Sequence, residues 1–516
     1  MKKNIIAGKK ILTAFLSASL VFSACTNLET TEVASEVVDT SGGAFKGDGP
    51  KLLQGLYDDM GAFTDQANLY ALLEQPTDEM IPPTRGVDWG DNGVWRTLHQ
   101  HTWDATHQHV LDTWNQLNQR SFKANQVLAS VNPEANAQQK AEAKFLRAFM
   151  MTYIMDLYGP VPFRDVNEGV DVNPKVYTRS EAFDFIIKDL TEALPDLAVK
   201  GPGKGDGVSA IERNGHATKA AANFLLARLY LNKGVYKAEN ASGPYTFDAA
   251  DMTKVVEYVD AVTADGYSLE PNYYNNFGLN ASKELIFTSP SGSAQNRIFM
   301  TLHYDQNPSG WNGFSTVADF YNSFEDGDIR KGTQSPKAVG QPFHGITRGF
   351  LVGQQYKDNG EVLNDSRSQK PLVFTPDVPL SGAATEKGIR VIKYHPGDQG
   401  PYIYFRYGDA YLMKAEAIMR GGSAGVSALT MVNDLRTIRG TSALGALTED
   451  AMLAERGREM YWEGVRRTDQ IRFGTFTKTW SEKTNTEPFR VLFPIPQQAI
   501  DSNPNLKQND GYGGGN

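Results

Sequence analysis

The stretch ATKAAANFLLARLYLNKG, Ala217 to Gly234, limits the fold more than any other part of this chain. Ala220, Ala221, Ala222 and Ala227 leave little side chain between this segment and whatever packs on it. Such a helix needs close helical neighbours, and apolar residues recurring at helical spacing supply them elsewhere. HVLDTWNQLNQRSFKANQVLASV places Val110, Leu111, Trp114, Leu117, Val127 and Leu128 largely on one face. AQQKAEAKFLRAFMMTYIMDLYG carries Phe145, Leu146, Phe149, Tyr153, Met155 and Leu157, then stops at Gly159-Pro160. TRSEAFDFIIKDLTEALPDL opens on a cap region at Thr178 and Ser180, with Glu181 close behind. DMTKVVEYVDAVTADGYSL, YIYFRYGDAYLMKAEAIMRGG, SALTMVNDLRTIRG and TEDAMLAERGREMYWEGVRRTDQIR complete the set. Ala410, Ala415 and Ala417 repeat the small-residue pattern. Segments 217–234 and 251–269 read as a tetratricopeptide-type hairpin without a strict repeat period. The predicted class is mainly α, a helical-pair scaffold.

Between the helices run long stretches rich in Gly, Pro, Asn and Tyr, about Leu69–Asp104, Pro271–Gly313 and Ser335–Gly400. Loops of this length in a compact protein are functional or disordered, and their aromatic content argues for order. ELIFTS and IRVIKY read as short β-ribbons within them.

Residues 1–24 read as an export signal. Lys2, Lys3, Lys9 and Lys10 precede the apolar run ILTAFLSASLVF, which is too short to span a bilayer as an ordinary helix. Ser23 and Ala24 are small, and the next residue, Cys25, is the only cysteine of the 516 residues. No intramolecular disulfide can form. FSAC resembles a bacterial lipobox, with Phe22 where leucine is usual, so Cys25 is expected to be acylated. Several acyl chains, at about 0.8 kcal/mol per buried CH2, anchor a protein durably where one does not. Residues 25–44 then form an acidic, flexible tether. The formal charge is −9, and the basic residues of the signal make the remainder more acidic still. That balance argues against nucleic acid, which needs a basic footprint, and against electrostatic adhesion to anionic lipid. Membrane contact is expected through the lipid anchor only.

Several motifs, taken in order, resemble the SusD/RagB family of nutrient-binding outer-membrane lipoproteins of the Bacteroidetes. AEAKFLRAFMMTYIMDLYGPVPF is similar to a family helix that ends in a Gly-x-Val-Pro turn. Arg406, Asp409, Leu412 and Ala415-Glu416-Ala417 resemble its Arg-x-x-Asp-x-x-Leu-x-x-Ala-Glu-Ala helix. VNDLRTIRG is similar to a Val-Asn-x-[IV]-Arg-x-Arg segment, with Ile438 at the second arginine and Arg439 one place later. ERGREMYWEGVRRTDQIRFG and FPIPQQAIDSNPNLKQNDGY resemble two further signatures. The resemblance covers essentially the whole chain after Cys25. It implies one SusD-like domain over 45–516, with a helical scaffold over about 45–270 and a loop-rich half over about 271–516. It also implies a non-catalytic surface protein of the outer membrane that binds oligo- or polysaccharide. Such a protein delivers its ligand to a SusC-like TonB-dependent transporter, with the helices facing that transporter and long loops building the glycan site.

The best binding chemistry lies in TDEMIPPTRGVDWGDNGVW. Sugars present apolar C–H faces and a rim of hydroxyls, which suit an exposed aromatic ring edged by planar polar groups. Trp89 and Trp95 stand among glycines and prolines, so this segment reads as loop. Trp89 is expected to be exposed and Trp95 buried, with Arg85, Asp88, Asp91 and Asn92 at the rim. Trp311 and Asn312 in HYDQNPSGWNGFS form the second candidate, and Tyr394 and Arg348 weaker ones. Tyr273 and Tyr274 are weaker still and compatible with the core.

Glu455, Glu459 and Glu463 lie one helical turn apart and could be read as acid and base. Carboxylates on one rigid helix cannot flank a sugar from opposite sides, so pairing with Arg456, Arg458, Arg466 and Arg467 is expected instead. His99, His101, His107 and His109 near Asp104 have a spacing compatible with a transition metal, but a polar loop entering a helix explains them as well. No cofactor is expected: the loop acids are compatible with Ca2+, yet no EF-type spacing is present. A surface glycoside hydrolase and a peptide-binding member of the same family are the alternative functions. α-Glucan, β-glucan, fructan and host glycan are all open as ligands.

Overall fold

In the computed structural model the described residues are 45–169, 171–202, 214–281 and 283–513. The signal segment 1–24, Cys25 and the tether 25–44 lie outside them. The described residues cluster as one compact unit.

The predicted helices form, except that YIYFR is a strand ahead of helix Tyr407–Met419 and the last segment breaks into helices Glu449–Met460 and Arg466–Arg472, and local chemistry fixes their ends. The Asn136 side chain accepts from the Gln139 amide and Gln139 answers in kind, opening helix Ala137–Tyr158 with a capping box. The helix ends at Gly159, whose φ of 86° only glycine adopts easily. Thr178 and Glu181 make the same box for helix Arg179–Ala193. Helix Gln108–Ala129 packs on Ala137–Tyr158, which packs on Arg179–Ala193. Helix Lys219–Leu231 packs on Ala249–Ala264, and that helix on Tyr407–Met419. The alanines at 220, 221, 222 and 227 are fully buried, as are Phe224, Leu226 and Leu229. Lys219–Leu231 therefore buries apolar residues around most of its circumference, a central helix rather than an amphipathic one.

Strand Leu285–Ser293 pairs antiparallel with Pro401–Arg406, and Arg390–Ile392 pairs with Arg348–Leu351. ELIFTS and IRVIKY thus supply one strand each, and their partners come from distant segments. The stretch Leu69–Asp104 is less irregular than the sequence suggests. It contains helices Asn68–Glu74 and Val94–His99, because Leu69, Tyr70, Leu72 and Leu73 bury a helical face.

A buried ionic layer joins the late helices to the loops. Glu459 on helix Glu449–Met460 receives Arg439 Nε and Nη2 at 3.0 and 2.9 Å, Arg406 Nη1 at 3.0 Å and Arg330 Nη1 at 3.1 Å. Arg439, one place beyond the position usual in the family, caps helix Ala428–Ile438 and still reaches Glu459. Glu455 pairs with Arg330, Arg436 and Arg458, while Glu463 pairs with Arg406 and Lys393. Asp409, Glu416 and Asp469 pair with Arg228, Arg456 and Arg472 in a neighbouring cluster. Burial alone would raise the Glu455 carboxyl, but Arg330 and Arg458 beside it hold it down at about 2. Burial likewise opposes and Arg472 reverses at Glu416, which is also held at about 2.

These groups release their protons more readily when folded than when unfolded, so their contribution is complete above the ordinary carboxylate range. It is lost as pH falls from about 4.5 through about 2. Thermal melts followed by circular dichroism are expected to give a midpoint that falls steeply over that interval. A midpoint unchanged between pH 5 and about pH 2.5 would contradict the ionic layer.

Candidate functional site

The candidate site begins at a tight hairpin. Arg85 and Asp88 exchange backbone hydrogen bonds at 3.1 Å, with Gly86 at φ 64° and Val87 at the exposed tip. The chain then runs through the left-handed region at Trp89 (φ 60°), Asp91 (φ 34°), Asn92 (φ 53°) and Gly93 (φ 87°). A bulky residue rarely adopts this backbone, and strain of this kind concentrates at binding sites. The surroundings hold Trp89 in place. Its ring packs on Phe314 at 4.7 Å and edge-on against Trp95 at 5.5 Å, and its Nε1 donates to the Trp311 carbonyl at 2.9 Å.

Trp311 comes from the Gly310–Gly313 loop. Its amide donates to Phe299 O at 2.7 Å, and its ring leans on Phe299 at 5.7 Å and on Trp89 at 6.4 Å. It is 38% exposed, so the cluster presents a free aromatic face. Gly313 lets the two loops meet, because a Cβ there would stand 2.5 Å from the Trp89 ring and 2.7 Å from Met300 O. Gly313→Ala is expected to displace the Trp89 ring, seen as a changed tryptophan fluorescence maximum together with a lower melting temperature. Unchanged emission would contradict this packing.

The rim is polar. The Tyr304 hydroxyl donates to Asp88, and Arg367 lies over the Tyr304 ring at 4.6 Å and 3.8 Å from the Asp88 carboxylate. Asp91 accepts from Trp95 Nε1 at 2.7 Å, and Asn92 is exposed beside it. Tyr304 and Arg367 escaped the sequence reading. Tyr304 stands in the same HYDQ run as the Trp311 loop, whereas no local signal marks Arg367.

Several expected contacts are corrected. Trp95 is buried, but Trp89 is half-buried rather than exposed, because Phe314, Trp95 and Trp311 surround it. Trp95 also lies on helix Val94–His99 rather than in a loop. Arg85 is buried and gives Nη2 to Lys387 O at 2.7 Å and Ser315 Oγ at 3.3 Å. Asn312 is fully buried, accepts from Arg390 Nη2 at 2.6 Å and donates to Thr385 O at 3.1 Å. Both therefore support the site from beneath instead of lining it. Arg348 is buried against Asp398. Tyr394 is buried beside Phe277, its hydroxyl accepting from the Ile403 amide at 3.1 Å, so it belongs to the core rather than to the aromatic face. Tyr273 and Tyr274 are core residues.

The four clustered histidines are buried, and each gives at least one ring nitrogen to a separate partner. His99 meets Met80 O and Ser481 O, His101 meets Pro76 O, His107 meets Val94 O and His109 meets Asn68. Open clefts lie elsewhere among the described residues. One of about 660 Å3 is lined by Tyr177, Asn240, Phe489 and Asn509. Another of about 380 Å3 is lined by Trp114, Phe122, Phe163 and Leu506. The Trp89–Trp311 face lies apart from both, an exposed surface suited to a flat apolar ligand with hydrogen-bonding edges.

Residues 279–512 match the SusD family, and residues 56–231 match the family described as starch-binding, associating with outer membrane. The chain belongs to the SusD/RagB family. The starch-binding protein SusD of Bacteroides thetaiotaomicron is 25% identical, over 89% of this chain and 93% of that protein. Among solved structures, a SusD superfamily protein of Parabacteroides distasonis matches with a TM-score of 0.66 at 18% identity, covering 90% of this chain and 100% of its own. Surface glycan-binding protein A of B. thetaiotaomicron, solved with laminarihexaose, matches with a TM-score of 0.63 at 18% identity, covering 89% and 98%. This SusD-like chain therefore combines the family's mostly helical fold and small sheets with its own aromatic face at Trp89 and Trp311.

Proposed function

We propose that this chain is a non-catalytic, cell-surface glycan-binding lipoprotein that captures oligo- or polysaccharide and passes it to a SusC-like TonB-dependent transporter. The observation that carries the reading is the open Trp89–Trp311 face with Asp88, Tyr304 and Arg367 along its edge. A sugar ring stacks its C–H face on the exposed indole while the rim groups exchange water for hydroxyls. An open face accepts the middle of a long polymer, which an enclosed pocket would refuse. The starch-binding and laminarihexaose-bound relatives favour a glucan. Pairing of Glu455 and Glu459, on helix Glu449–Met460, and of Glu463, in the turn beyond it, with arginines favours a structural over a catalytic role for these carboxylates.

In this reading residues 1–24 are removed, acylated Cys25 holds the protein on the outer membrane, and residues 25–44 tether the domain. Mass spectrometry of the mature N-terminus tests the anchor, and an unacylated residue there would remove it. Affinity electrophoresis through gels containing α-glucan, β-glucan or fructan tests the binding. The expected result is retardation by at least one polymer with no release of reducing ends. Reducing-end release by the purified protein would favour a hydrolase.

A further inference from the structure

We propose that His303, Asp305 and Asp365 form a site for a divalent cation of the zinc or manganese class, stapling two loops beneath the aromatic face. One ligand atom from each residue lies within 4.8 Å of the others. No spacing in the sequence announces the group, because Asp365 arrives from a loop far along the chain.

The local chemistry favours a cation. His303 is fully buried, and the Asp305 amide donates to its Nδ1 at 3.2 Å. That nitrogen is therefore unprotonated, its lone pair engaged by the amide until an ion displaces it, yet an Asp305 carboxylate oxygen stands 3.5 Å from it. Two electron-rich atoms face each other with no proton between them, while the ring's Nε2 has no hydrogen-bond partner. A buried imidazole satisfied by a single backbone amide is unusual here. His99, His101, His107 and His395 each meet a carbonyl. Metal–nitrogen and metal–oxygen bonds of about 2.1 Å place tetrahedral ligands about 3.4 Å apart, close to the His303–Asp305 separation. Partly exposed Asp305 gives the ion a path in.

The carboxylates are already oriented, as metal ligands are by the groups behind them. Asp365 accepts from the amides of Arg367 and Ser368 and from Thr385 Oγ1 at 2.7 Å. Asp305 accepts from the Ser366 amide at 2.9 Å. An imidazole nitrogen beside two carboxylates suits Zn2+ or Mn2+ better than Ca2+ or Mg2+, which prefer oxygen alone. The site joins the 303–305 turn to the 365–368 turn. Those turns carry Tyr304 and Arg367, the rim pair over Asp88. Occupancy would fix the rim of the proposed glycan face, although binding of the ion does not depend on that function.

Isothermal titration of the untagged mature protein with ZnCl2 or MnCl2, glycan absent, tests the site. The expected result is one equivalent bound, reversed by EDTA. Asp305→Asn and His303→Gln are each expected to weaken binding at least about tenfold. Asp305 is partly exposed, so its variant remains informative if the His303 variant does not fold. Absence of binding, or binding unchanged in Asp305→Asn, would overturn the site. Since no glycan is present, either result leaves the glycan reading to its own test.

Discussion

Glu459→Ala is expected to lower the unfolding free energy by about 3–5 kcal/mol, the usual loss when one partner of a buried ion pair is removed. Glu459 is fully buried and receives hydrogen bonds from Arg330, Arg406 and Arg439. Arg330 keeps Asp328 and Glu455, and Arg406 keeps Glu284 and Glu463. Arg439 keeps only Glu284, at 3.4 Å, together with carbonyl contacts to Glu270 and Pro271. The variant therefore buries a guanidinium with too little negative charge beside it. Domains of this kind are stable by about 5–15 kcal/mol, so the loss is a large fraction of the total. Urea unfolding followed by circular dichroism measures it. A change below about 1 kcal/mol, the range of surface pairs, would contradict the ionic layer.

Trp311→Ala is expected to weaken binding of the retained polysaccharide about 30-fold or more, the effect of losing a tryptophan worth about 2 kcal/mol at an interface. The ring is the most exposed tryptophan of the aromatic cluster and rests on Phe299. The loop does not depend on it. Backbone bonds from 311 to Phe299, from 312 to Leu302 and from 313 to Met300, with the Asn312–Arg390 contact, stay in place after truncation. The melting temperature is accordingly expected to change little. Trp89→Ala is a less selective change, since it removes the Nε1 bond to Trp311 and the packing on Phe314 and Trp95. An affinity unaltered by Trp311→Ala would displace the site from this face.

The helices were legible because their signals are local. Asn136 with Gln139, Thr178 with Glu181, and Gly159 announce where helices begin and end. The two loops of the site were legible as tryptophans flanked by glycine and polar residues. Their polar residues were harder to place, because burial depends on partners remote in sequence. Arg85 is fixed by Lys387 O, 302 residues away, and Asn312 by Arg390, 78 residues away. Beside a glycine or a tryptophan such residues look available for ligand. Arg367 illustrates the converse: nothing in its own run of serines and charges points to Tyr304, and only folding brings it there. Tyr394 looked like a loop aromatic, yet it packs beside Phe277 from another loop.

In the proposed function, the Trp89–Trp311 face holds a glycan and leaves it intact. One paired measurement addresses it directly: affinity electrophoresis of the wild type and Trp311→Ala in a gel of the retained polysaccharide, with reducing ends assayed on the same samples. Retardation of the wild type, its loss in a folded Trp311→Ala, and no reducing ends from either protein are the expected results. Equal retardation of both proteins, or reducing ends released by the wild type, would contradict it.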